Sequence, residues 1–353
     1  MSRRHVMIMA AGTGGHIFPG LAVADELRRM GVEVSWLGTP EGMENRLVGK
    51  AGYRLESIAI KGLRGRGAAG WLMAPWRVLK ATLQARRLIG KNRPLCVLSM
   101  GGYVAGPGGL AARSLRIPLV IHEQNAVAGL TNRLLRPLAK RVLTGFPDVL
   151  KKSEHVGNPV RADIAALPAP QARFAGRDGP LRLLVIGGSL GARRFGEVVP
   201  EALARLPDSV QVEVVHQAGR ELELTRQSYR RAGVDGRVVD FIEDMAGAWA
   251  ECDVALCRSG ALTVAEIEAA GVAALLVPFP HAVDDHQYGN ARHLESSGAA
   301  WLVRERDFDA DWLAEKLAAM DRNTLEQMAG RARSLSMRDS AAAVARACLE
   351  VAA

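Results

Sequence analysis

A short apolar run that ends in a cluster of glycines occurs twice in this chain. His5–Ala11 runs into GTGGH at Gly12, and Leu181–Ile186 runs into GGSLGA at Gly187, 175 residues later. A strand that breaks into a glycine turn and then a helix leaves the first backbone N–H groups of that helix available to an anion. Further strand-like runs follow the first start at Val32–Leu37, Leu95–Met100, Pro118–His122 and Arg141–Gly145. The second start is followed by Val210–His216, Arg237–Phe241, Asp253–Cys257, Ala273–Val277 and Ala300–Val303. Helical periodicity lies between them, as at Leu21–Met30, and the alternation predicts parallel sheets covered on both faces. The expected fold class is α/β, two Rossmann-like domains facing a cleft, with ligands outside the carboxyl ends of the strands. A length of 353 residues suits two domains. The Pro/Ala/Gly-rich stretch Leu167–Pro180 reads as the linker, and Ser340–Val351 as a plain terminal helix.

Charge separates the halves. Between Ser57 and Pro147 there are 15 Lys or Arg residues and a single acid, Glu123, where the chain-wide frequency of acids would place nine or ten. That imbalance implies a polyanionic partner. Cys96, Cys252, Cys257 and Cys348 form no CxxC pair and no zinc spacing, so they read as reduced, buried thiols and no metal site is expected. The run Val6–Ala11 is too short for a signal-peptide core, and no stretch approaches the roughly 20 apolar residues that span a bilayer. Within Gly62–Lys91, Trp71, Leu72, Met73 and Trp76 stand among Arg64, Arg66, Arg77, Lys80, Arg86 and Arg87. This mixture suits an anionic membrane interface, or nucleic acid, or an ordinary helix with its apolar face in the core.

The turns carry the chemistry. Ile17 stands where the third glycine of a dinucleotide fingerprint belongs, which argues against a nicotinamide or flavin. A glycine turn at a helix start still suits phosphate, and GGYVAGPGG (Gly101–Gly109) after another strand could converge with it on one pyrophosphate. GGSLG also fits a nucleophile elbow, so an α/β-hydrolase with Ser189 as nucleophile and His281, His286 or His293 as base is the rival class. In the stretch Cys257–Asn290, a strand turns at Arg258-Ser259-Gly260 into a helix. Thr263 and Glu266 are spaced there as a capping box, Gly271 as the stop, and His281–Asn290 reads as a polar loop. Glu266 is either that cap or a carboxylate placed to accept sugar hydroxyls.

Taken together, GTGGHIFPGLAVADEL, GLRGRG, MGGYVAGPGGLAA, HEQNAVAGLTN, VGNPVR, GGSLGA, FIEDM, CRSGALTVAEIEAAG and HQYGN, running in this order from residue 12 to residue 290, closely resemble the bacterial MurG-type glycosyltransferases. The resemblance implies the two-Rossmann GT-B architecture, with domains at 1–161 plus 338–353 and at 162–337. It implies inverting transfer of N-acetylglucosamine from UDP-N-acetylglucosamine to the lipid-linked muramyl-pentapeptide, undecaprenyl-pyrophosphoryl-muramyl-pentapeptide, with no cofactor and no bound metal. Carried over, Arg161, Ser189 and the helix start Ala261, Leu262, Thr263, Val264 and Ala265 hold the UDP diphosphate. Ile242 lies against uracil, Glu266 takes ribose hydroxyls, and Gln287 and Asn125 hold the sugar, which Thr13, Gly14 and Gly15 also face. Gly101, Gly102 and Tyr103 meet the acceptor pyrophosphate. Asp284 and Asp285 depart from the family, which often has amide or basic character before Gln287. His16 is the first candidate for the general base and Glu123 the second. The resemblance further implies a peripheral protein at the cytoplasmic face of the inner membrane, an anionic membrane surface and partner proteins of cell-wall synthesis, and no nucleic acid.

Overall fold

The computed structural model describes residues 4–60, 73–188 and 191–352. GLRGRG, Trp71, Leu72 and Ser189 lie outside the described residues. The chain divides into two compact units, Met1–Arg161 with Met337–Ala353, and Ala162–Ser336.

The first unit is built on a seven-stranded, all-parallel sheet. Its strands are β1 (His5–Met9), β2 (Glu33–Gly38), β3 (Arg54–Ser57), β4 (Cys96–Ser99), β5 (Leu119–Glu123), β6 (Arg141–Thr144) and β7 (Glu154–His155), in the order β3-β2-β1-β4-β5-β6-β7. Around β1 the side chains alternate with the period of a strand. Val6, Ile8 and Ala10 pack with Val23 and Leu27 on one face, and Met7, Met9 and Ala11 pack with Ala81, Ala85 and Ile89 on the other. The helix Ser340–Glu350 adds Val344 and Cys348 to the first of these layers, so the end of the chain completes the core of its first half.

The second unit holds a six-stranded parallel sheet: β8 (Leu181–Ile186), β9 (Val212–Gln217), β10 (Arg237–Val239), β11 (Val254–Cys257), β12 (Ala273–Leu276) and β13 (Ala300–Leu302), ordered β10-β9-β8-β11-β12-β13. Both sheets therefore reverse their winding beside their first strand, between β1 and β4 and between β8 and β11. A crevice at such a switch point is where open α/β sheets bind ligands.

Two expectations are corrected here. Leu167–Pro180 is no free linker, because it carries the helix Pro170–Phe174 and is docked by two arginines. Arg173 is 8% exposed and donates to the Trp249 carbonyl at 3.1 Å, to Ala270 at 2.8 Å and to Gly271. Arg177 reaches the fully buried Asp253 at 2.6 Å. Carbonyls at a helix C-terminus welcome a guanidinium, and this fastens the stretch to the second unit. The expected loop His281–Asn290 is instead a turn followed by a helix, His286–Ser296. Asp284 and Asp285 take left-handed backbone angles (φ 53° and 51°) just before it. The four cysteines are buried and form no disulfide, and burial pushes the Cys252 thiol up to about 12.

Candidate active site

At the first switch point two glycine turns meet. β1 ends where the Trp36 indole donates to the Ala10 carbonyl at 2.9 Å. Gly12 then turns at φ 103°, and its N–H faces Glu44 Oε2 at 3.4 Å. Glu44 is fully buried and also accepts from the Thr39 N–H at 2.9 Å and hydroxyl at 2.7 Å, so the turn is supported from within the unit. The helix Gly14–Arg29 starts immediately, with Thr13 as an extended N-cap whose side chain makes no capping bond. After β4 comes the second turn, Gly101 and Gly102 at φ 101° and 80°. Side chains are excluded there by close approach. A Cβ on Gly102 would lie 2.2 Å from the Ala11 carbonyl, one on Gly101 would lie 3.0 Å from the His16 ring, and one on Gly12 would lie 3.2 Å from Tyr103. Thr13, Gly14, Gly15, His16, Gly101, Gly102 and Tyr103 therefore form one cluster.

β5 delivers the other two candidates to its carboxyl end. Glu123 is 2% exposed and both of its carboxylate oxygens are occupied. Oε1 accepts from the Asn125 N–H at 3.0 Å, and Oε2 from the Gly129 N–H at 3.0 Å and the Asn132 amide at 2.8 Å. A carboxylate satisfied this way organises the loop that presents Asn125, so its geometry is that of a loop anchor rather than a base. The His16 ring, by contrast, is half-buried at the turn, with Nδ1 3.0 Å from Gln124 Oε1. Sequence reasoning passed over Gln124, since nothing in the chain brings it within reach of a residue 108 positions away.

At the second switch point, the turn after β8 includes Gly188 and Gly191 at φ 81° and 79°. A Cβ on Gly191 would stand 2.2 Å from the Ala218 carbonyl. The turn after β11 leads into the helix Ala261–Ala270 with Gly260 as N-cap and Gly271, at φ 65°, as C-cap. The expected capping box is therefore wrong: Thr263 is the third helical residue, and no side chain caps the start. Gly260 takes the extended N-cap conformation itself, while the Ser259 hydroxyl beside it donates to the Gln287 carbonyl at 2.8 Å. Glu266 is half-buried and accepts from the Trp249 indole at 3.2 Å, which leaves the cap reading without support.

Gln287 is held against the same turn. Its amide oxygen accepts from the Phe279 N–H at 2.9 Å, and Asn290, three residues on, donates to the Ser259 carbonyl at 3.0 Å. Beneath the turn, Arg258 donates to the Val277 carbonyl at 3.1 Å and packs 4.8 Å from the Phe195 ring centroid, a brace that sequence reasoning did not single out. Ile242 presents its N–H to Gln217 Oε1 at 3.1 Å at the end of β9. Ala261 to Glu266, Ser259 and Gln287 thus gather around one helix start; Arg161, half-buried, belongs to the first unit. Away from both turns, a concavity of about 570 Å³ along β6 and β7 is lined by Arg136, Lys140, Arg141, Lys151 and Lys152; it adds to the basic surface but holds none of the candidate residues.

Comparison with known proteins places this architecture. Residues 6–144 match the glycosyltransferase family 28 N-terminal domain, and residues 182–344 match the corresponding C-terminal domain. A Bordetella parapertussis protein named UDP-N-acetylglucosamine–N-acetylmuramyl-(pentapeptide) pyrophosphoryl-undecaprenol N-acetylglucosamine transferase is 53% identical over 353 residues, covering 100% of this chain and 99% of its own. A relative of the same name from Alkalilimnicola ehrlichii is 55% identical over 350 residues, 98% of each chain. The crystal structure of MurG from Acinetobacter baumannii matches with a TM-score of 0.85 and 42% identity, covering 98% of this chain and 99% of its own. The calicheamicin glycosyltransferase CalG4, at 17% identity and a TM-score of 0.69, shares the fold. These findings overturn the hydrolase alternative, and two of its proposed bases are otherwise engaged: His286 Nδ1 lies 2.7 Å from the Val283 carbonyl and His293 lies 3.3 Å from Glu268. Two Rossmann-like α/β halves, each with its glycine turn at the switch point, and full-length identity to transferases of one kind give one answer: the chain belongs to the MurG branch of glycosyltransferase family 28.

Proposed function

We propose that this chain moves N-acetylglucosamine from UDP-N-acetylglucosamine to the 4-hydroxyl of a lipid-linked N-acetylmuramyl-pentapeptide, with inversion at the anomeric carbon. The observation that carries this reading is the pair of switch-point sites, in a chain 53% identical over its whole length to a transferase of that name. The second half holds the donor. The start of Ala261–Ala270, which no side chain caps, directs its first N–H groups and positive end at the diphosphate, joined by Arg161 and Ser189. Glu266, fixed by the Trp249 indole, takes the ribose hydroxyls, Ile242 meets uracil, and Gln287 with Asn125 holds the sugar. The first half holds the acceptor, its pyrophosphate over Gly101, Gly102 and Tyr103.

In the reaction, the acceptor oxygen attacks the anomeric carbon as His16 Nε2 takes its proton. The bond from that carbon to the diphosphate oxygen breaks, and UDP leaves with the electron pair, its charge stabilised by the helix start and Arg161. Thr13, Gly14 and Gly15 lie beside the sugar at that moment. The decisive assay is transfer of labelled sugar from UDP-N-acetylglucosamine to a lipid-pyrophosphate muramyl acceptor. Incorporation supports the reading, and its absence with a competent acceptor refutes it.

The acceptor's lipid tail stays in the bilayer, so the first half works as a peripheral protein at the cytoplasmic face of the inner membrane. Among the described residues no helix is long and apolar enough to cross a membrane. The helix Ala74–Asn92 supports surface contact: it buries Ala74, Ala81, Ala85 and Ile89, and leaves Trp76, Leu79 and Leu83 exposed at 63%, 49% and 52%. Spacings of three and four residues put these on one helical face, beside Arg77, Lys80, Arg86 and Arg87. Alanines inward, with Ile89 the one large residue among them, and large apolar side chains outward is close to the reverse of an ordinary core helix.

A further inference from the structure

The hydrogen bonds behind His16 have a fixed polarity. His122 is fully buried, and its Nε2 lies 2.9 Å from the Gly157 carbonyl, which can only accept. Nε2 therefore carries the hydrogen, and burial holds the ring neutral by pushing its pKa down to about 4. Nδ1 of His122 must then be an acceptor, and it faces the Gln124 amide nitrogen at 3.0 Å. The same amide nitrogen faces the His122 carbonyl at 3.0 Å, a second acceptor-only group, so the orientation of the Gln124 amide follows from chemistry on both counts. Gln124 is 1% exposed, and its own carbonyl is held by the Asn158 amide at 2.9 Å. Its side-chain oxygen is thus the atom presented to His16 Nδ1, 3.0 Å away, and it accepts. Nδ1 of His16 must carry the hydrogen. Nε2, which makes no hydrogen bond to a described residue, is left with its lone pair.

We propose that Gln124 and His122 are positioning residues for the transfer reaction: they hold His16 as the Nδ1–H tautomer and so keep Nε2 bare to take the acceptor's proton. This rests on the reading of His16 as the base. A neutral amide cannot take up the proton, so no charge passes down the chain. The imidazolium formed in the reaction keeps its Nδ1–H on Gln124 Oε1 and loses the acquired proton from Nε2 after product release. A Cβ on Gly101 would come within 3.0 Å of Nδ1 and Cε1, so the ring is confined between the second glycine turn and the Gln124 amide. An imidazole without such a partner favours the opposite tautomer, with hydrogen on Nε2, which cannot accept.

Nitrogen-15 NMR of histidine-labelled, full-length protein reads the tautomer directly, because protonated and bare ring nitrogens resonate far apart. Wild-type protein near neutral pH, without substrate, should show His16 with hydrogen on Nδ1, and a signal for hydrogen on Nε2 would overturn the proposal. Gln124→Leu and the longer Gln124→Met should each shift that population toward Nε2–H. Each should lower kcat by roughly 10- to 100-fold, within the range for misplacing a catalytic group. The KM for the UDP-sugar should stay close to wild type. His122→Leu should do the same, and His122→Asn, whose amide oxygen restores an acceptor for Gln124, should recover part of the loss. Variants that keep both the tautomer and kcat refute the positioning role. His16→Ala separates the two claims, since near-normal turnover there refutes the base and leaves the tautomer result to stand or fall on the spectrum.

Discussion

The two halves of this molecule are built to one plan and equipped differently. Each places a glycine turn after its first strand and a second turn after the strand across the switch point. In the first half the turns enclose a histidine backed by an internal hydrogen-bonding chain. In the second, the turn leads to a helix start without a side-chain cap, flanked by a carboxylate and an amide that are themselves fastened by neighbours. The contrast teaches that the shared fold supplies only backbone N–H groups and a location. On the proposed roles, the side chains that follow each turn decide whether the site moves a proton or grips a nucleotide.

The largest effect should come from the half proposed to handle the proton. His16→Ala is expected to lower kcat by on the order of 10²–10⁴ in steady-state transfer assays. Near-normal turnover would erase the functional difference between the halves. Acid stability, by contrast, should be shared. His122 in the first half and His216 in the second are both buried neutral, with pKa values pushed by burial from 6.5 down to about 4. The unfolded chain binds these protons near pH 6.5 and the folded chain only near 4. Their stability contribution is therefore full above about pH 6.5 and is lost as the pH falls toward 4, by at most about 3 kcal/mol each. Thermal unfolding followed between those limits should fall with pH, and His216→Phe should flatten the second half's share. A melting temperature indifferent to pH would contradict it.

The smallest effects should be at the surface of the first half. Each cation near an anionic leaflet contributes about 1 kcal/mol, screened by salt. The protein should sediment with anionic vesicles, weakly with neutral ones, and be released at high salt. Trp76→Ser with Leu83→Ser should weaken vesicle binding several-fold and spare transfer to a short-chain soluble acceptor. Equal binding of wild type and the double variant would return these side chains to a merely solvated face.

Much of this was legible in the chain. The strand Leu181–Ile186 is read to the residue because its run, apolar but for Arg182, is stopped by two glycines, and the paired starts identify both halves. The edge strands Arg54–Ser57 and Glu154–His155 escape, since a polar, partly exposed strand paired on one side carries no apolar signature. Spacing alone made Thr263 and Glu266 a capping box; what defeats it is Gly260 serving as the cap and an indole 17 residues back claiming the carboxylate. Leu167–Pro180 has the composition of a linker, but two arginines find carbonyls more than 70 residues away. The orientation of His16 was illegible for the same reason: it is set through space, by Gln124 just beyond the end of β5.

The division of labour is tested most directly by titrating UDP into His16→Ala and Glu266→Ala side by side in a calorimeter. Loss of a charged hydrogen-bonding partner costs on the order of 1.5–3 kcal/mol, so Glu266→Ala should bind UDP roughly 10- to 150-fold more weakly. His16→Ala should bind it like wild type. A His16 variant that loses UDP affinity as much as the Glu266 variant does, or a Glu266 variant with unchanged affinity and only a lower melting temperature, would contradict the account.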